Sequence, residues 1–291
     1  MPWLQIAVQI SGDQVDAMSE AFNSLGALSV TVLDAGDEAL LEPAPGETPL
    51  WSSVRLVALF PETQDEDALR SALHGLSPGL SEKILVETLE DRDWSSTWRE
   101  TFSAMHFGEQ LWVCPVGEMP QQPGAVVVHL DPGMAFGTGT HATTAMCLRW
   151  LASHPPIGRD VIDYGCGSGI LAIAAHKLAA AHVCAVDIDP QALLATQENA
   201  RRNGCGEAIQ VLAPDELQAG TTDLLIANIL ANPLIELAGD FCGRVKPGGR
   251  LVLTGILSEQ AQAVQAAYQP AFDFDSPVHD AEWVLLAATK R

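Results

Sequence analysis

From residue 160 onward, short apolar runs alternate with helical stretches. The first junction between them is Asp163-Tyr164-Gly165-Cys166-Gly167-Ser168-Gly169. Val161-Ile162 before it reads as a strand, and Ile170 to Ala175 after it reads as a helix. Glycines at alternate positions let such a turn pass close to a ligand, because no Cβ intervenes. The helix that follows points backbone N–H groups at whatever binds there. Together these features predict a nucleotide-like cofactor at the carboxyl end of a parallel strand.

The alternation continues. Strands are expected near 160–164, 182–187, 208–212, 223–228 and 250–255. Helices are expected near 170–179, 191–203, 233–244 and 258–269. This order predicts an α/β fold, a doubly wound and mostly parallel sheet of Rossmann-like type. Runs at 272–279 and 283–289 have no helix between them and predict an antiparallel pair at a sheet edge. Upstream, Leu111–Val116 and Val126–Leu130 read as strands, and Thr143 to Ser153 as a helix after a glycine-rich loop at 130–141.

The first ninety residues follow a different order. Leu4, Ile6, Val8 and Ile10 alternate with polar or small residues, as a strand with one buried face does. Residues 13–25 have helical spacing, 28–33 and 54–60 are β-rich, 65–73 is helical and 83–89 is a last strand. The sequence β-α-β-β-α-β predicts a small ferredoxin-like α+β domain. The division is therefore residues 1–92, a linker helix at 93–105, and an α/β domain at 106–291. Trp94 and Trp98 share one face of that linker helix and read as packing residues.

Among 291 residues, 37 acids face 15 bases, a formal charge of −22. Eighteen acids and five bases fall in the first 105 residues. Such a chain repels bare nucleic acid and anionic membranes and attracts basic partners. Six scattered cysteines with no C-x-x-C pair argue against a disulfide framework or a zinc site, and no metal is expected. No basic n-region precedes an apolar stretch at the N-terminus, and no membrane span is visible. A cytoplasmic, monomeric protein is the expectation.

The cofactor follows from the glycine spacing. A dinucleotide fingerprint requires glycine at 170, where Ile170 stands, and the G-K-[ST] ending of a phosphate loop is missing. Asp187 ends the next strand, 22 residues after Gly165. An acid there accepts hydrogen bonds from ribose hydroxyls, in NAD and in S-adenosylmethionine alike. Asp189 with Pro190 reads as an N-cap. Asn228 ends the strand at 223–228 and falls in the same crevice as the glycine turn. Asn232, just before Pro233, reads as the cap of the next helix, which leaves Asn228 for function.

In combination, Asp131–Thr144, Ile162–Leu171 and Ala227–Leu230 resemble the PrmA-type methyltransferases of large-subunit ribosomal protein eleven, within the class I S-adenosylmethionine-dependent superfamily. The resemblance runs over nearly the whole chain. It implies transfer of methyl groups from S-adenosylmethionine to the α-amine and lysine amines of that ribosomal protein, which the small N-terminal domain recognises. It implies cofactor contacts from Gly165, Gly167, Asp187, Thr144, Asn228 and Phe136. It places His141 in a loop near the cofactor, with a catalytic or a bracing role, and Asn228 as the residue that positions the amine. The Pro-Pro-aromatic segment that many amino-nitrogen methyltransferases carry after the Asn is replaced by Ile229-Leu230-Ala231. That departure favours a flexible amine over a planar nitrogen. The chain offers no residue obliged to act as general base. The rival readings are a methyltransferase of another protein, RNA or small amine, and a nicotinamide-dependent oxidoreductase.

Overall fold

The structure, a computed structural model, describes residues 3–36, 49–61, 63–76, 84–89, 103–130 and 139–291. Phe136, Trp94 and Trp98 lie outside the described residues, as does most of the expected linker helix. The chain divides into two compact units, Met1–Trp94 and Ser95–Arg291.

In the first unit the elements are β1 (Trp3–Ser11), α1 (Val15–Ser24), β2 (Ser29–Asp34), β3 (Ser53–Pro61), α2 (Glu66–Leu76) and β4 (Leu85–Leu89). The four strands form one sheet in the order β2-β3-β1-β4, each neighbouring pair antiparallel. The period-two pattern of β1 turns Leu4, Ile6, Val8 and Ile10 to one face. There they pack with Val54, Leu56 and Phe60 of β3 and with Phe22, Leu69 and Leu73 of the two helices. Phe22 meets Phe60 edge-on, with ring centroids 6.2 Å apart.

The second unit opens with a three-stranded sheet of β5 (Met105–Phe107), β6 (Leu111–Pro115) and β7 (Val126–Leu130). Strand β5 is too short for its sequence pattern to reveal. There follow α3 (Ala142–Ser153), β8 (Asp160–Tyr164), α4 (Ile170–Lys177), β9 (His182–Val186), α5 (Pro190–Arg202), β10 (Ile209–Leu212) and β11 (Thr222–Asn228). The rest comprises α6 (Ala231–Glu236), α7 (Ala238–Arg244), β12 (Val245–Leu257), α8 (Ala261–Tyr268), β13 (Phe272–Phe274), β14 (Val278–Asp280) and β15 (Trp283–Lys290).

The large sheet runs β10-β9-β8-β11-β12-β15-β13, and β14 also pairs with β15. The first five strands are mutually parallel, while β15 is antiparallel to β12, β13 and β14. Alternate residues of each strand enter two separate cores. Val161, Leu224, Ile226, Val252 and Leu285 pack with α3, α4 and the small sheet, while Ile162, Leu225, Leu251, Leu253 and Val284 pack with α6, α7 and α8. Burial on both faces explains why these strands read as continuous apolar runs. Asn203, the C-cap of α5, ties β7 down, accepting from His129 N at 2.8 Å and donating to His129 O at 2.7 Å.

Three elements differ from expectation. The helix expected at 233–244 is broken at Leu237, which caps both α6 and α7. Gly239 and Gly243 lower helix propensity beyond the break. The run at 272–279 splits into β13 and β14. Strand β15 is no edge strand, because it is inserted between β12 and β13. No helix among the described residues is long and apolar enough to cross a membrane.

Candidate active site

The carboxyl ends of β8 and β11 diverge at a crevice, where open α/β sheets bind their ligands. A cavity of about 390 Å³ lies there, lined by His141, Thr144, Gly165, Gly167, Asn228 and Trp283, with Cys166, Ile170, Leu171, Ile229, Leu230 and Gly255 completing its largely apolar wall. A mostly apolar pocket with a few convergent polar groups is the usual form of a small-molecule site.

The glycine turn is built by its neighbours. Gly165 N and Cys166 N both donate to Val186 O, at 2.7 and 3.0 Å, which anchors the turn to the end of β9. Gly165 has φ +79°, and a Cβ there would sit 2.2 Å from Ile229 Cγ2. Gly169, the N-cap of α4, has φ +77°, and its Cβ would fall 2.7 Å from Thr196 Cγ2. Both positions therefore exclude side chains by conformation and by packing. Thr196 Oγ1 donates to Gly167 O at 3.0 Å and Asn199 Nδ2 to Ser168 O at 2.9 Å, so α5 braces the turn from behind. Thr196 and Asn199 were missed in the sequence. Their signal was two buried polar residues, three apart, on a helix face that should be apolar.

Asp187 lies directly after β9 and is not among the residues lining the cavity. Its Oδ2 accepts from Gly167 N at 2.9 Å and its Oδ1 from Asp189 N at 3.0 Å. Each oxygen has a further lone pair for a ribose hydroxyl. Asp189 caps α5, accepting from Gln191 N at 2.9 Å.

Asp163 is 1 % exposed. Its Oδ2 accepts from Ala172 N at 2.9 Å, and its Oδ1 is buried without a partner among the described residues. Burial pushes this carboxyl up to about 7; the Ala172 bond partly opposes that rise and the nearby Asp187 charge adds to it. Cys166 is no nucleophile, since burial first and then the Asp163 charge drive its thiol well above its ordinary value.

The polar groups opposite the turn come from α3 and β11. His141 is the N-cap of α3, with Nδ1 accepting from Thr143 N at 3.4 Å and lying 2.7 Å from Thr143 Oγ1. With Nδ1 accepting, the ring is assigned its proton on Nε2. His141 thus caps the helix and lines the cavity at once. Asn228 Nδ2 donates to Thr144 Oγ1 at 3.2 Å. Asn232, expected as a helix cap, is instead inside α6. That helix begins at Ala231, and its N-cap is Leu230, which has no side-chain oxygen to offer.

Trp283 was read in the sequence only as part of a strand. It opens β15 and meets His141 edge-on, with centroids 4.9 Å apart and planes at 69°. Trp283 thus adds an aromatic ring to the cavity wall from another strand, beside His141 rather than in the segment after Asn228. Nothing local announces it, because His141 and Trp283 lie far apart in the chain.

The fold and this cavity define a Rossmann-like methyltransferase, of the class whose methyl donor is S-adenosylmethionine. The family model for ribosomal protein L11 methyltransferase (PrmA) matches residues 2–291, and the chain belongs to that family. It is 51% identical over 291 residues to the ribosomal protein L11 methyltransferase of Methylococcus capsulatus, covering 99% of each chain. It is 49% identical to that of Nitrosococcus oceani, covering 100% of both. Among solved structures it resembles ribosomal protein L11 methylase from Lactobacillus delbrueckii subsp. bulgaricus, with a TM-score of 0.61 and 31% identity. That likeness covers 65% of this chain and 100% of the other.

Proposed function

We propose that this protein transfers methyl groups from S-adenosylmethionine to amino nitrogens, the α-amine and lysine side chains, of large-subunit ribosomal protein eleven. The observation that carries the reading is the convergence of Gly165, Gly167, Thr144 and Asn228 on one cavity, in a chain that matches its named relatives end to end.

The residues present fit the cofactor. The side-chain-free turn at Gly165 admits its amino-acid end. The Asp187 carboxylate receives the ribose hydroxyls. Ile188, 83% exposed beside Asp187, offers an apolar surface to the base. When bound, S-adenosylmethionine supplies a methyl group already activated on a sulfonium. The protein then has to orient an amine in line with that methyl and keep it neutral. Asn228, anchored by Thr144, orients it. Ile229, Leu230 and Trp283 exclude water. An α-amine has a pKa of about 8 and a lysine about 10.4. The apolar wall lowers the lysine value toward the neutral form. No side chain in the cavity is required as general base, and the proton leaves to solvent.

The first unit serves in this reading as a ferredoxin-like substrate-recognition domain at residues 1–92, joined through 93–105 to the transferase domain at 106–291. Its support is the all-antiparallel order β2-β3-β1-β4 with two helices. Eighteen acids against five bases in residues 1–105 suit a basic protein partner and steer encounter. The protein works as a monomer in the cytoplasm and without direct nucleic-acid contact. The test is incubation with labelled S-adenosylmethionine and a ribosome-free lysate. The reading requires ribosomal protein eleven to be the labelled product, and label on RNA or on other proteins alone rejects it.

A further inference from the structure

Strands β14 and β15 are joined by a loop of two residues, Ala281 and Glu282, since Asp280 pairs directly with Trp283. Hairpin loops this short need positive φ at the tip and favour glycine or Asn-Gly there. Here Ala281 carries it, at φ +53°. A Cβ in the left-handed region costs free energy that glycine avoids, and such strain persists only where the surroundings over-determine it. Two residues further on stands Trp283, which lines the catalytic cavity.

The surroundings do hold this hairpin. At the tip, Glu282 O accepts from Ser258 N at 2.8 Å and from Ser258 Oγ at 3.0 Å. Asp280 Oδ2 accepts from Arg149 Nη1 of α3 at 3.1 Å. At the root, Val284 O accepts from Thr254 Oγ1 at 3.0 Å. The carbonyls on both sides of Trp283 thus each take a side-chain hydroxyl, one from β12 and one from the residue directly after it.

Thr254 is polar and fully buried. It is the β12 residue paired with Asn228 of β11. On its other side the ladder to β15 slips. Leu253 pairs with Leu286 and Ile256 with Val284, so Thr254 and Gly255 stand opposite Leu285 alone. Bulges of this kind re-aim side chains beside active sites. Ordinary packing does not account for the pair of features. A buried central strand calls for an apolar residue where Thr254 stands, and a two-residue hairpin tip calls for glycine where Ala281 stands. Both rules are broken, and both breaks bear on the backbone around Trp283. Such local conflicts concentrate at functional sites.

We propose that Thr254 and Ala281 are positioning residues: the hydroxyl at the root and the strained turn at the tip hold the Trp283 ring against His141 in the cavity wall. His141 caps α3 and Arg149 lies on the same helix, so α3 meets the hairpin at two points. The bearing of this mount on methyl transfer rests on the reading of the cavity given above. A ring held in advance spares the arriving amine the cost of ordering it, so the mount acts on KM more than on kcat.

The test compares Thr254→Val, Thr254→Ser, Ala281→Gly and Trp283→Leu in the full-length protein. The carbon-bound imidazole protons of His141, shifted by the neighbouring indole, report the ring's place by NMR. In Thr254→Val and Ala281→Gly they should move toward their positions in Trp283→Leu, and in Thr254→Ser they should stay. KM for ribosomal protein eleven should rise by about 3- to 10-fold in the same two variants, the cost of re-ordering one side chain. S-adenosylmethionine affinity should be unchanged. Ala281→Gly relieves the strained φ, so its urea midpoint should hold or rise while KM worsens, which a merely structural turn would not show. His141 resonances unmoved in both variants overturn the proposal, as do moved resonances with a parental KM in both. A parental KM in Trp283→Leu rejects instead the reading that this ring meets the amine, and the His141 resonances then decide the mount by themselves.

Discussion

Asn228 at the end of β11 donates its side-chain amide to the hydroxyl of Thr144 in the first turn of α3, at 3.2 Å. Thr144 is buried, 3% exposed, so this bond fixes the amide against a rigid helix. Displacing a positioning group by about 1 Å lowers rates by about a hundredfold. Asn228→Ala should therefore lower kcat by about 10- to 100-fold at saturating cofactor, and Thr144→Val should reproduce much of that loss. Thr144→Ser, which keeps the oxygen, should stay near the parent rate. Single-turnover methylation at saturating cofactor is the measurement. An Asn228→Ala enzyme at full rate would remove Asn228 from the chemistry.

Ile229 is wedged between two glycines. A Cβ on Gly165 would meet its side chain at 2.2 Å, and one on Gly255 would meet its backbone oxygen at 2.3 Å. Side chains yield more readily than backbone. Ile229→Ala should thus partly rescue the stability lost in Gly165→Ala, and should not rescue Gly255→Ala. Losses of about 2–4 kcal/mol are expected for each glycine substitution alone, from overpacking together with a strained positive φ. Urea melts of the two double-mutant cycles separate these cases.

Trp283 presents an aromatic ring to the same cavity and braces His141 edge-on. A ring facing the ammonium form of an arriving lysine, or its charged methylated product, contributes about 0.5–2 kcal/mol. Trp283→Leu should raise KM for the protein substrate by about 3- to 30-fold while cofactor affinity, measured by calorimetry, stays within error. Trp283→Phe should restore most of the loss. An equal weakening of cofactor and substrate by Trp283→Leu would assign the ring to cofactor binding instead.

The sequence made most of this legible where physics acts locally. Val161–Tyr164 and Leu224–Ala227 are buried on both faces, so the parallel strands stand out as apolar runs. The structure brings His141, Thr144, Gly165, Gly167 and Asn228 together because strand ends and helix starts meet at one edge of such a sheet. What escaped is long-range. Trp283 reaches the cavity only because β15 is inserted beside β12, and Gly255 matters only because Ile229 folds onto it. The Asn232 cap failed for a local reason: α6 starts one residue before it, so the position that caps falls to Leu230. The burial of Asp163 was equally invisible, since its spacing matches that of any acid at a strand end.

That buried acid makes folding stability depend on pH. The Asp163 carboxyl titrates at about 7 in the folded protein against an ordinary 3.8. Between those values the folded chain holds a proton that the unfolded chain has lost. Stability from this group therefore falls as pH rises from about 4 to about 7, and the penalty is fully present above that range. Its upper bound is about 4 kcal/mol, from the displacement of the pKa. Asp163→Asn keeps an acceptor for Ala172 N and carries no charge. Relative to the parent, the variant should gain stability between pH 5 and pH 8, and its own urea midpoint should move less across that interval. Parent and variant midpoints that shift in parallel from pH 5 to pH 8 would mean that Asp163 does not carry this linkage.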